Sequence, residues 1–234
     1  MLQFLKSILP ANLKNNLKAI LIGNNWLEST YFSQFGEDVL IRSYFPKSKR
    51  DGVFVDVGAY QPVSLSNTYY FYLKGWRGIN VEPNPAGIAA FNKYRPLDIN
   101  LQVGVSEVPG TLSYHMIPDK PFENTFSQSQ ADIRHEPGLN EQVVELPVDT
   151  LANILDKHLP LGKSIDFFSI DVEGINLEVL RSNNWEKYRP KLIVVEKHVP
   201  EEEHKNQELL KLMAEKGYKL DYDIMHSYFL VDAR

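Results

Sequence analysis

Acidic side chains stand at or just beyond the ends of several short apolar runs in this 234-residue sequence. The polar residues at these ends are Asp56, Glu82, Ser106, Asp171, Glu173 and Glu196. In an open parallel sheet, ligands bind beyond the carboxyl ends of the strands. Carboxylates accept hydrogen bonds from hydroxyl groups, and a pair of them is able to hold a hard cation through oxygen ligands. The pattern therefore predicts a ligand site lined by acids.

Gly58 and Glu82 are suited to a nucleoside-type ligand. Gly58 follows the first apolar run, and a glycine there lets the backbone turn sharply and approach a ligand. A carboxylate at Glu82 accepts both hydrogen bonds of a ribose 2′,3′-diol. The fingerprint G-x-G-x-x-G is incomplete, because Tyr60 and Val63 occupy its two later glycine positions. Asp56 has an alternative role as a residue that caps its own turn.

Asp171, Glu173 and His198 are the candidates for catalysis. Asp171 ends a run that is apolar on both faces, as expected of a central parallel strand, and His198 lies just beyond the run that ends at Glu196. Since histidine titrates near neutral pH, we expect His198 to be the base and Asp171 to bind the hydroxyl that loses its proton. Asp171 and Glu173 are also a candidate magnesium site, although we expect metal-free chemistry because Gly174 indicates that a turn begins there. The alternative for His198 is an exposed residue that leads into a helix.

Short apolar runs alternate with amphipathic stretches from residue 51 onward, which is typical of strands alternating with helices. The predicted strands cover residues 52–58, 78–82, 99–105, 111–117, 143–148, 164–174, 191–196, 218–224 and 226–234. The last two are too close together for a crossover helix and indicate a hairpin. The predicted fold class is α/β, with a mainly parallel sheet, an antiparallel C-terminal strand and helices on both faces.

Residues 118–142 are polar and contain proline, and the segment is far longer than the ~4–6 residues of a median connection. We therefore expect a functional loop that closes over the substrate, with Phe122, Asn124 and Phe126 as its contacts.

Composition restricts the classes of function. The chain is 43% hydrophobic and 24% charged, which is typical of a globular protein. A formal net charge of −5 argues against a surface built for nucleic-acid phosphates. Without cysteine, the chain has no disulfide, thiolate nucleophile or cysteine-ligated metal. These observations favour a cytoplasmic protein without a nucleic-acid partner.

Residues 1–32 are predicted to form an N-terminal amphipathic helical extension, followed by one domain over residues 33–234. The first 22 residues carry three lysines and no acid, and Pro10 interrupts their apolar pattern. We expect two short helical pieces that pack on the domain or on a second copy of the chain, with peripheral contact to an anionic membrane as the alternative.

Several motifs follow one another along the chain: SQFGED (33–38), FVDVGAYQP with SNT (54–62 and 66–68), GWRGINVEPNP (75–85), VGVSE (103–107) and IDFFSIDVEG (165–174). In this order they resemble the motifs of the FkbM-type S-adenosylmethionine-dependent methyltransferases. The resemblance implies a class I methyltransferase fold, which is Rossmann-like, and S-adenosyl-L-methionine as the methyl donor. It also implies that the cofactor contacts are Gln34, Asp56, Gly58, Ala59, Ser66, Asn67, Glu82, Pro83, Val105, Ser106 and Asp171.

The predicted function is O-methylation of a hydroxyl group on a glycan precursor, a nucleotide sugar or a secondary metabolite. A hydroxyl is a poor nucleophile and becomes more reactive when a base or a metal activates it. The candidate residues Asp171, Glu173 and His198 could supply either form of activation. The alternatives are a Rossmann-type NAD-dependent dehydrogenase of a sugar or alcohol, and a non-catalytic cofactor-binding scaffold.

Overall fold

The computed structural model describes residues 27–134, 140–198 and 200–234. The predicted helical pieces of residues 1–22 lie outside these ranges. No helix in the described part of the chain combines the length and the apolar character needed to cross a membrane.

Ten strands and seven α-helices are found in the described ranges. The strands are β1 (Val53–Val57), β2 (Arg77–Val81), β3 (Ile99–Leu101), β4 (Gly104–Val105), β5 (Gly110–Met116), β6 (Gln142–Asp149), β7 (Phe167–Ile170), β8 (Leu192–Glu196), β9 (Tyr218–Ile224) and β10 (Ser227–Asp232). The α-helices are α1 (Glu37–Ser43), α2 (Tyr69–Leu73), α3 (Pro85–Tyr94), α4 (Gln128–Arg134), α5 (Leu151–His158), α6 (Asn176–Arg181) and α7 (Glu203–Glu215). Short 3₁₀ turns cover Pro121–Glu123 and Pro200–Glu202.

Seven strands form a central sheet in the order β3-β2-β1-β7-β8-β10-β9. The first five of these are parallel to one another, whereas β10 runs antiparallel to both β8 and β9. The predicted α/β class and the antiparallel C-terminal hairpin are therefore confirmed. β1 is fully buried and is the central strand of the five parallel ones. β2 and β3 lie on one side of it and β7 and β8 on the other, so the strand order reverses at β1 and leaves a crevice at its carboxyl end.

Both faces of the sheet are covered, as predicted. Val55 belongs to the apolar core on the face that also carries α5, α6 and α7, and Phe54 belongs to the core with α1 and α2. Val55 and Phe54 belong to different cores because successive side chains of a β-strand point to opposite faces of the sheet.

A second sheet of three strands, in the order β4-β6-β5, is a feature that the sequence did not predict. Residues 99–105 were expected to form one strand, but β3 ends at Leu101 in the central sheet and β4 pairs with β6. Gly104 allows β4 to pair with β6, because the absence of a side chain leaves room for the ring of Phe126. A Cβ atom at Gly104 would lie 2.5 Å from that ring. The small sheet therefore brings residues 104–105 and 114–126 beside the end of β2.

The predicted loop over residues 118–142 is partly regular. A β-bridge joins His115 to Thr125, and the 3₁₀ turn and α4 occupy much of the segment. Residues 135–139 of the predicted loop lie outside the described ranges. The described part contacts the end of β7, so it is a structured wall and not a free loop.

Candidate functional site

A cavity of about 510 Å³ opens at the carboxyl ends of β1, β2, β7 and β8. Residues of β4, β5, the 121–126 segment and the β9–β10 hairpin complete its lining. Its volume is in the range of small-molecule sites, ~300–1,000 Å³. It lies at the sheet edge where the sequence predicted a ligand.

Gly58 brings the turn after β1 against the end of β7. Its φ is 75°, and its amide donates a 2.9 Å hydrogen bond to the carbonyl oxygen of Val81. A Cβ atom at this position would lie 1.7 Å from the carbonyl oxygen of Asp171. Only glycine fits such a contact at a positive φ, so the turn forms a cradle of bare backbone on the cavity wall.

Glu82 lies at the end of β2 with its carboxylate held in place. One oxygen accepts a hydrogen bond from the amide of Tyr60 at 2.9 Å, and the other accepts from the amide of Asn84 at 2.8 Å. Burial raises the pKa of Glu82 to about 7, although the two amide hydrogen bonds oppose the shift. Each oxygen keeps a lone pair, so the group is able to accept two further hydrogen bonds from a diol.

Aromatic and aliphatic side chains form the wall next to Glu82. Tyr114 and Phe126 contact each other with ring centroids 4.6 Å apart, and Val103 and Val105 line the same cavity. Such a wall suits a flat heterocycle. The sequence did not place Tyr114 here, because it lies on a strand of the unpredicted small sheet.

Asp171, Glu173 and Glu196 bring their carboxylates together where β7 and β8 end. One oxygen from each group lies within 4.8 Å of the others. Oδ1 of Asp171 is buried and has no hydrogen-bond partner among the described residues. Because Asp171 also lines the cavity, this oxygen is a candidate contact for a ligand.

Burial raises the pKa of each acid in this cluster. For Glu196 the rise is large, because the charges of Asp171 and Glu173 add to burial. The pKa of Glu173 rises to about 7 despite the opposing charge of Arg134. The pKa of Asp171 also rises, but a hydrogen bond with Glu196 moderates that shift. Glu196 is therefore the acid of this cluster that most favours its protonated form. Its proton lies in the hydrogen bond with Asp171 and so stabilises Asp171 as a carboxylate.

The segment over residues 121–134 holds the turn that carries this cluster. The guanidinium of Arg134 pairs with Glu173, and Oγ1 of Thr125 donates to the carbonyl oxygen of Glu173 at 2.5 Å. Glu173 has φ of 52° and Gly174 has φ of 103°. A Cβ atom on Gly174 would lie 2.3 Å from the side chain of Gln130, so α4 packs directly against this strained turn.

Gln34 and Glu37, from the SQFGED motif, line another part of the cavity. The carboxylate of Glu37 accepts a 2.9 Å hydrogen bond from the amide of Phe35. Ser33 donates to Asp38 at 2.7 Å, which fixes the loop before α1.

The structure brings most of the proposed cofactor contacts together. Those that line the cavity are Gln34, Gly58, Asn67, Glu82, Pro83, Val105 and Asp171. Those outside its lining are Asp56, Ala59, Ser66 and Ser106. The amides of Ala59 and Ser106 instead bond to the carbonyl oxygens of Val81 and Asp149.

Asp56 and Ser66 have structural roles under the cavity. The carboxylate of Asp56 accepts a 2.6 Å hydrogen bond from Thr68, and Thr68 in turn accepts from the buried Arg95. Ser66 Oγ accepts from the amide of Tyr69 and so caps α2. Asp56 points away from the cavity because its neighbour in the strand, Val57, points toward it.

The expectation that His198 is the base is not supported by its position. Its side chain is fully buried and lies outside the cavity lining, with Nδ1 3.5 Å from an oxygen of Glu202. Its backbone exchanges hydrogen bonds with Asn206. Burial lowers the pKa of His198, which favours a neutral ring in the interior. The alternative of an exposed residue is also wrong.

His226 is the histidine that lines the cavity. It lies in the β9–β10 turn and contacts the ring of Phe35, with centroids 5.0 Å apart. Glu196, one of the strand-end acids expected at the ligand site, also lines the cavity, although the sequence gave it no specific role. Thr125 lines the cavity as well and was not chosen from the sequence.

Residues 56–220 match the methyltransferase FkbM domain, which is more than half of the chain. The chain belongs to the FkbM methyltransferase family. It is an S-adenosylmethionine-dependent methyltransferase of the α/β, Rossmann-like class, and this finding replaces the dehydrogenase alternative. Comparison with curated proteins gave no match.

Solved structures similar to this FkbM-family chain include the following three proteins. The fibrillarin pre-rRNA processing protein of Methanococcus jannaschii has a TM-score of 0.44 and 14% identity, and the match covers 81% of this chain and 70% of that one. A TehB-like SAM-dependent methyltransferase of Corynebacterium glutamicum has a TM-score of 0.42 and 13% identity, and the match covers 94% of each chain. The C-terminal domain of precorrin-6Y C5,15-methyltransferase of Rhodobacter capsulatus has a TM-score of 0.41 and 14% identity, and the match covers 83% of this chain and 85% of that one.

The cavity offers a hydrogen-bond acceptor, an apolar wall and a turn of bare backbone that suit parts of S-adenosylmethionine. Glu82 suits the ribose diol, and the wall of Val105, Tyr114 and Phe126 suits the adenine. The glycine cradle at Gly58 leaves room for the methionine part next to Asp171. The residues present therefore fit the cofactor of the FkbM family.

Proposed function

We propose that the protein transfers the methyl group of S-adenosylmethionine to a hydroxyl oxygen of a sugar, a glycan precursor or another small metabolite. The observation that carries the proposal is the buried, unpartnered Oδ1 of Asp171, which lies in a cavity lining beside Gly58. An acceptor hydroxyl satisfies this oxygen and is held there for transfer.

The residues of the chain act mainly by positioning. S-adenosylmethionine supplies an electrophilic methyl group, and the thioether that leaves needs no acid. Glu82 and the cradle at Gly58 fix the donor, and Asp171 fixes the acceptor, so that the two reactants become one aligned pair.

Asp171 is also the proposed base. Burial raises its pKa, which makes the carboxylate a better proton acceptor than an exposed aspartate. The proton held by Glu196 stabilises the Asp171 carboxylate before the reaction. In the transfer step Asp171 would accept the proton of the hydroxyl as its oxygen–hydrogen bond breaks. The oxygen would bond to the methyl carbon as the bond from that carbon to sulfur breaks, and the electron pair of that bond would leave with the thioether.

A divalent cation is the alternative means of activation at the same cluster. Three carboxylate oxygens within 4.8 Å of one another are compatible with a magnesium ion, which would lower the pKa of a bound hydroxyl. We favour the metal-free form, because Glu173 already pairs with Arg134.

The experiment uses S-adenosylmethionine labelled in its methyl group and a metabolite extract from the source cells. The expected product is a methyl ether, which resists alkaline hydrolysis and shows an oxygen-bound methyl group by nuclear magnetic resonance. A product methylated on nitrogen or carbon, or a base-labile methyl ester, would refute the proposal. So would cofactor binding without any transfer, which instead favours the non-catalytic scaffold.

A further inference from the structure

A groove of about 250 Å³ lies apart from the cofactor cavity and is bordered by basic side chains. It is formed by α1, α2 and the chain between α1 and β1, and it shares no lining residue with the cavity. Its charged lining residues are Glu28, Arg42, Lys47, Lys49 and Lys74. Four of these five are cations, in a chain whose formal net charge is −5. We call this feature the basic groove.

The acids that pair with two of these cations lie deeper than the cations themselves. Arg42 pairs with Asp38, which is fully buried, and Lys49 pairs at 2.8 Å with Asp166, which is 4% exposed. Lys191 lies 3.7 Å from the carboxylate of Asp166, and its own side chain is 72% exposed. A surface that approaches the groove therefore meets the cations before it meets these acids.

Lys47 and Arg50 add positive charge at the rim of the groove. Both are exposed, and Arg50 donates its hydrogen bonds to two backbone carbonyl oxygens. Neither forms an ion pair within the described part of the chain. Asp51 is an exposed acid beside them, and Glu28 pairs with Lys74 at 2.8 Å. With Arg42, Lys49 and Lys191 included, six cations stand against four acids, so the net charge stays positive after every ion pair is counted.

Residues 1–26 join the described part of the chain beside the basic groove. Glu28, only two residues further on, lines the groove. The segment contains Lys6, Lys14 and Lys18 and no acid, with leucine and isoleucine residues among them. Because the segment and the groove carry charge of the same sign, they do not attract each other, and both are attracted to an anionic surface. The apolar residues favour lipid as that surface over a nucleic acid.

The basic groove and the cavity lie toward different ends of the sheet. Lys49, Asp166 and Lys191 precede β1, β7 and β8, whereas the cavity opens where these strands end. A flat surface that binds the groove and the amino ends of the strands therefore leaves the cavity open to water.

We infer that the basic groove and residues 1–26 together bind the surface of a membrane that contains anionic lipids. Lipid phosphates pair with Lys47, Arg50 and Lys191, while apolar residues of the segment enter the headgroup region. The protein is then a peripheral membrane protein whose cavity faces the aqueous phase. This inference does not depend on which atom of the acceptor is methylated.

The test measures how the full chain partitions onto large lipid vesicles by co-sedimentation. Vesicles of phosphatidylcholine are compared with vesicles that also contain ~30% phosphatidylglycerol, at ~0.1 M salt. We expect about ten-fold or greater partition onto the anionic vesicles, and loss of most of this difference at ~0.5 M salt, because salt screens the attraction. Equal partition onto the two kinds of vesicle, or no binding to either, would overturn the inference.

Lys47→Gln combined with Arg50→Gln tests the groove. Partition onto anionic vesicles should fall about ten-fold or more, because each lysine or arginine near such a surface contributes about five-fold. Lys157→Gln combined with Lys211→Gln is the control, since it removes the same charge from α5 and α7 on the other face of the sheet. Thermal unfolding checks that both double variants are folded. A fall of equal size in the two would refute the assignment to the groove.

The combined substitutions Lys6→Gln, Lys14→Gln and Lys18→Gln test the segment within the full chain. Partition should fall in this variant as well, and an unchanged partition would show that the segment takes no part. A single-stranded oligonucleotide tests the competing partner at the same salt concentration. Binding of the oligonucleotide that is tighter than binding of anionic vesicles, and that Lys47→Gln with Arg50→Gln abolishes, would assign the groove to nucleic acid instead.

The orientation on the membrane has its own readout. Affinity for S-adenosylhomocysteine should be equal with and without anionic vesicles, because the cavity remains open to water. A loss of affinity when vesicles are added would contradict this orientation.

Discussion

A Cβ atom on Gly58 would lie 1.7 Å from the carbonyl oxygen of Asp171. This contact joins the turn after β1 to the turn after β7, and so it joins the cofactor side of the cavity to its catalytic side. The bare backbone of Gly58 is what lets the two turns approach. Any side chain there must push Asp171 away from its position.

Gly58→Ala is therefore expected to reduce affinity for S-adenosylhomocysteine and to lower the free energy of unfolding by ~1–3 kcal/mol, because of both the contact and the positive φ. Calorimetric titration and thermal unfolding measure the two effects. Gly110→Ala is the control, since a Cβ atom at Gly110 meets nothing within 4 Å. Wild-type affinity and stability in Gly58→Ala would show that the two turns are not packed as described.

Glu82→Gln should weaken binding of S-adenosylhomocysteine about ten-fold or more, because an amide does not accept both ribose hydroxyls and a charge-assisted hydrogen bond contributes ~1.5–3 kcal/mol. The exposed Glu107, which pairs with Arg181, provides the control variant Glu107→Gln. Binding is measured by titration calorimetry. Equal dissociation constants for wild type and Glu82→Gln would show that Glu82 does not bind the ribose.

The same residue predicts how binding depends on pH. The pKa of Glu82 is raised to about 7, so the carboxylate gains a proton as the pH falls through 7 and loses part of its capacity to accept hydrogen bonds. Affinity for S-adenosylhomocysteine should be higher at pH 8.5 than at pH 5.5 in the wild type, and this dependence should flatten in Glu82→Gln. If the affinity depended on pH equally in the wild type and in Glu82→Gln, the pH dependence would arise from a group other than Glu82.

Arg134→Gln should leave cofactor affinity unchanged and lower the rate of transfer about ten-fold, because it leaves the partly buried Glu173 without its cation. The charge of Arg134 lowers the pKa of Asp171, the proposed base, as well as that of Glu173, so the pH at which activity is half-maximal should also move upward. Lys157→Gln, which breaks an exposed ion pair with Asp149, is the control. An unchanged pH profile in Arg134→Gln would mean that the ion pair serves folding alone.

Residues at strand ends were the part of the site that could be predicted from the sequence. Gly58, Glu82 and Asp171 each follow a buried run, and parallel strands bring such positions to one edge. Asp56 was misplaced although the alternation of side chains along β1 could have shown that it faces away from Val57. The sequence offered no comparable rule for Tyr114, because the small sheet depends on pairing between distant segments.

His198 shows the limit of arguments from position alone. It lies two residues after the end of β8, and Asp171 lies one residue after the end of β7, but the ring of His198 is buried outside the cavity lining, near Glu202. The direction of a side chain after a strand depends on the turn, and here Asn206 of α7 fixes that turn through the backbone of His198. The approach of Glu196 to Asp171 is likewise set by the pairing of β8 beside β7.

Chelation decides between the two forms of activation. We expect EDTA to leave the rate of methyl transfer unchanged, because Asp171 takes the proton without a metal. Loss of activity in EDTA that magnesium or manganese restores would show that Asp171, Glu173 and Glu196 hold a cation. Calorimetric titration of magnesium into the chelated protein distinguishes a bound ion from an effect on the acceptor.

The most direct test of the account is the rate of methyl-ether formation by Asp171→Asn, measured with labelled S-adenosylmethionine beside the affinity for S-adenosylhomocysteine. Loss of the base and of the hydroxyl contact should lower the rate by about 100-fold or more, which is typical of general-base catalysis. The affinity should change far less than the rate, since the carboxylate oxygen that is lost serves the acceptor hydroxyl in the proposed function. A rate equal to that of the wild type would contradict the central role of Asp171 in transfer to oxygen.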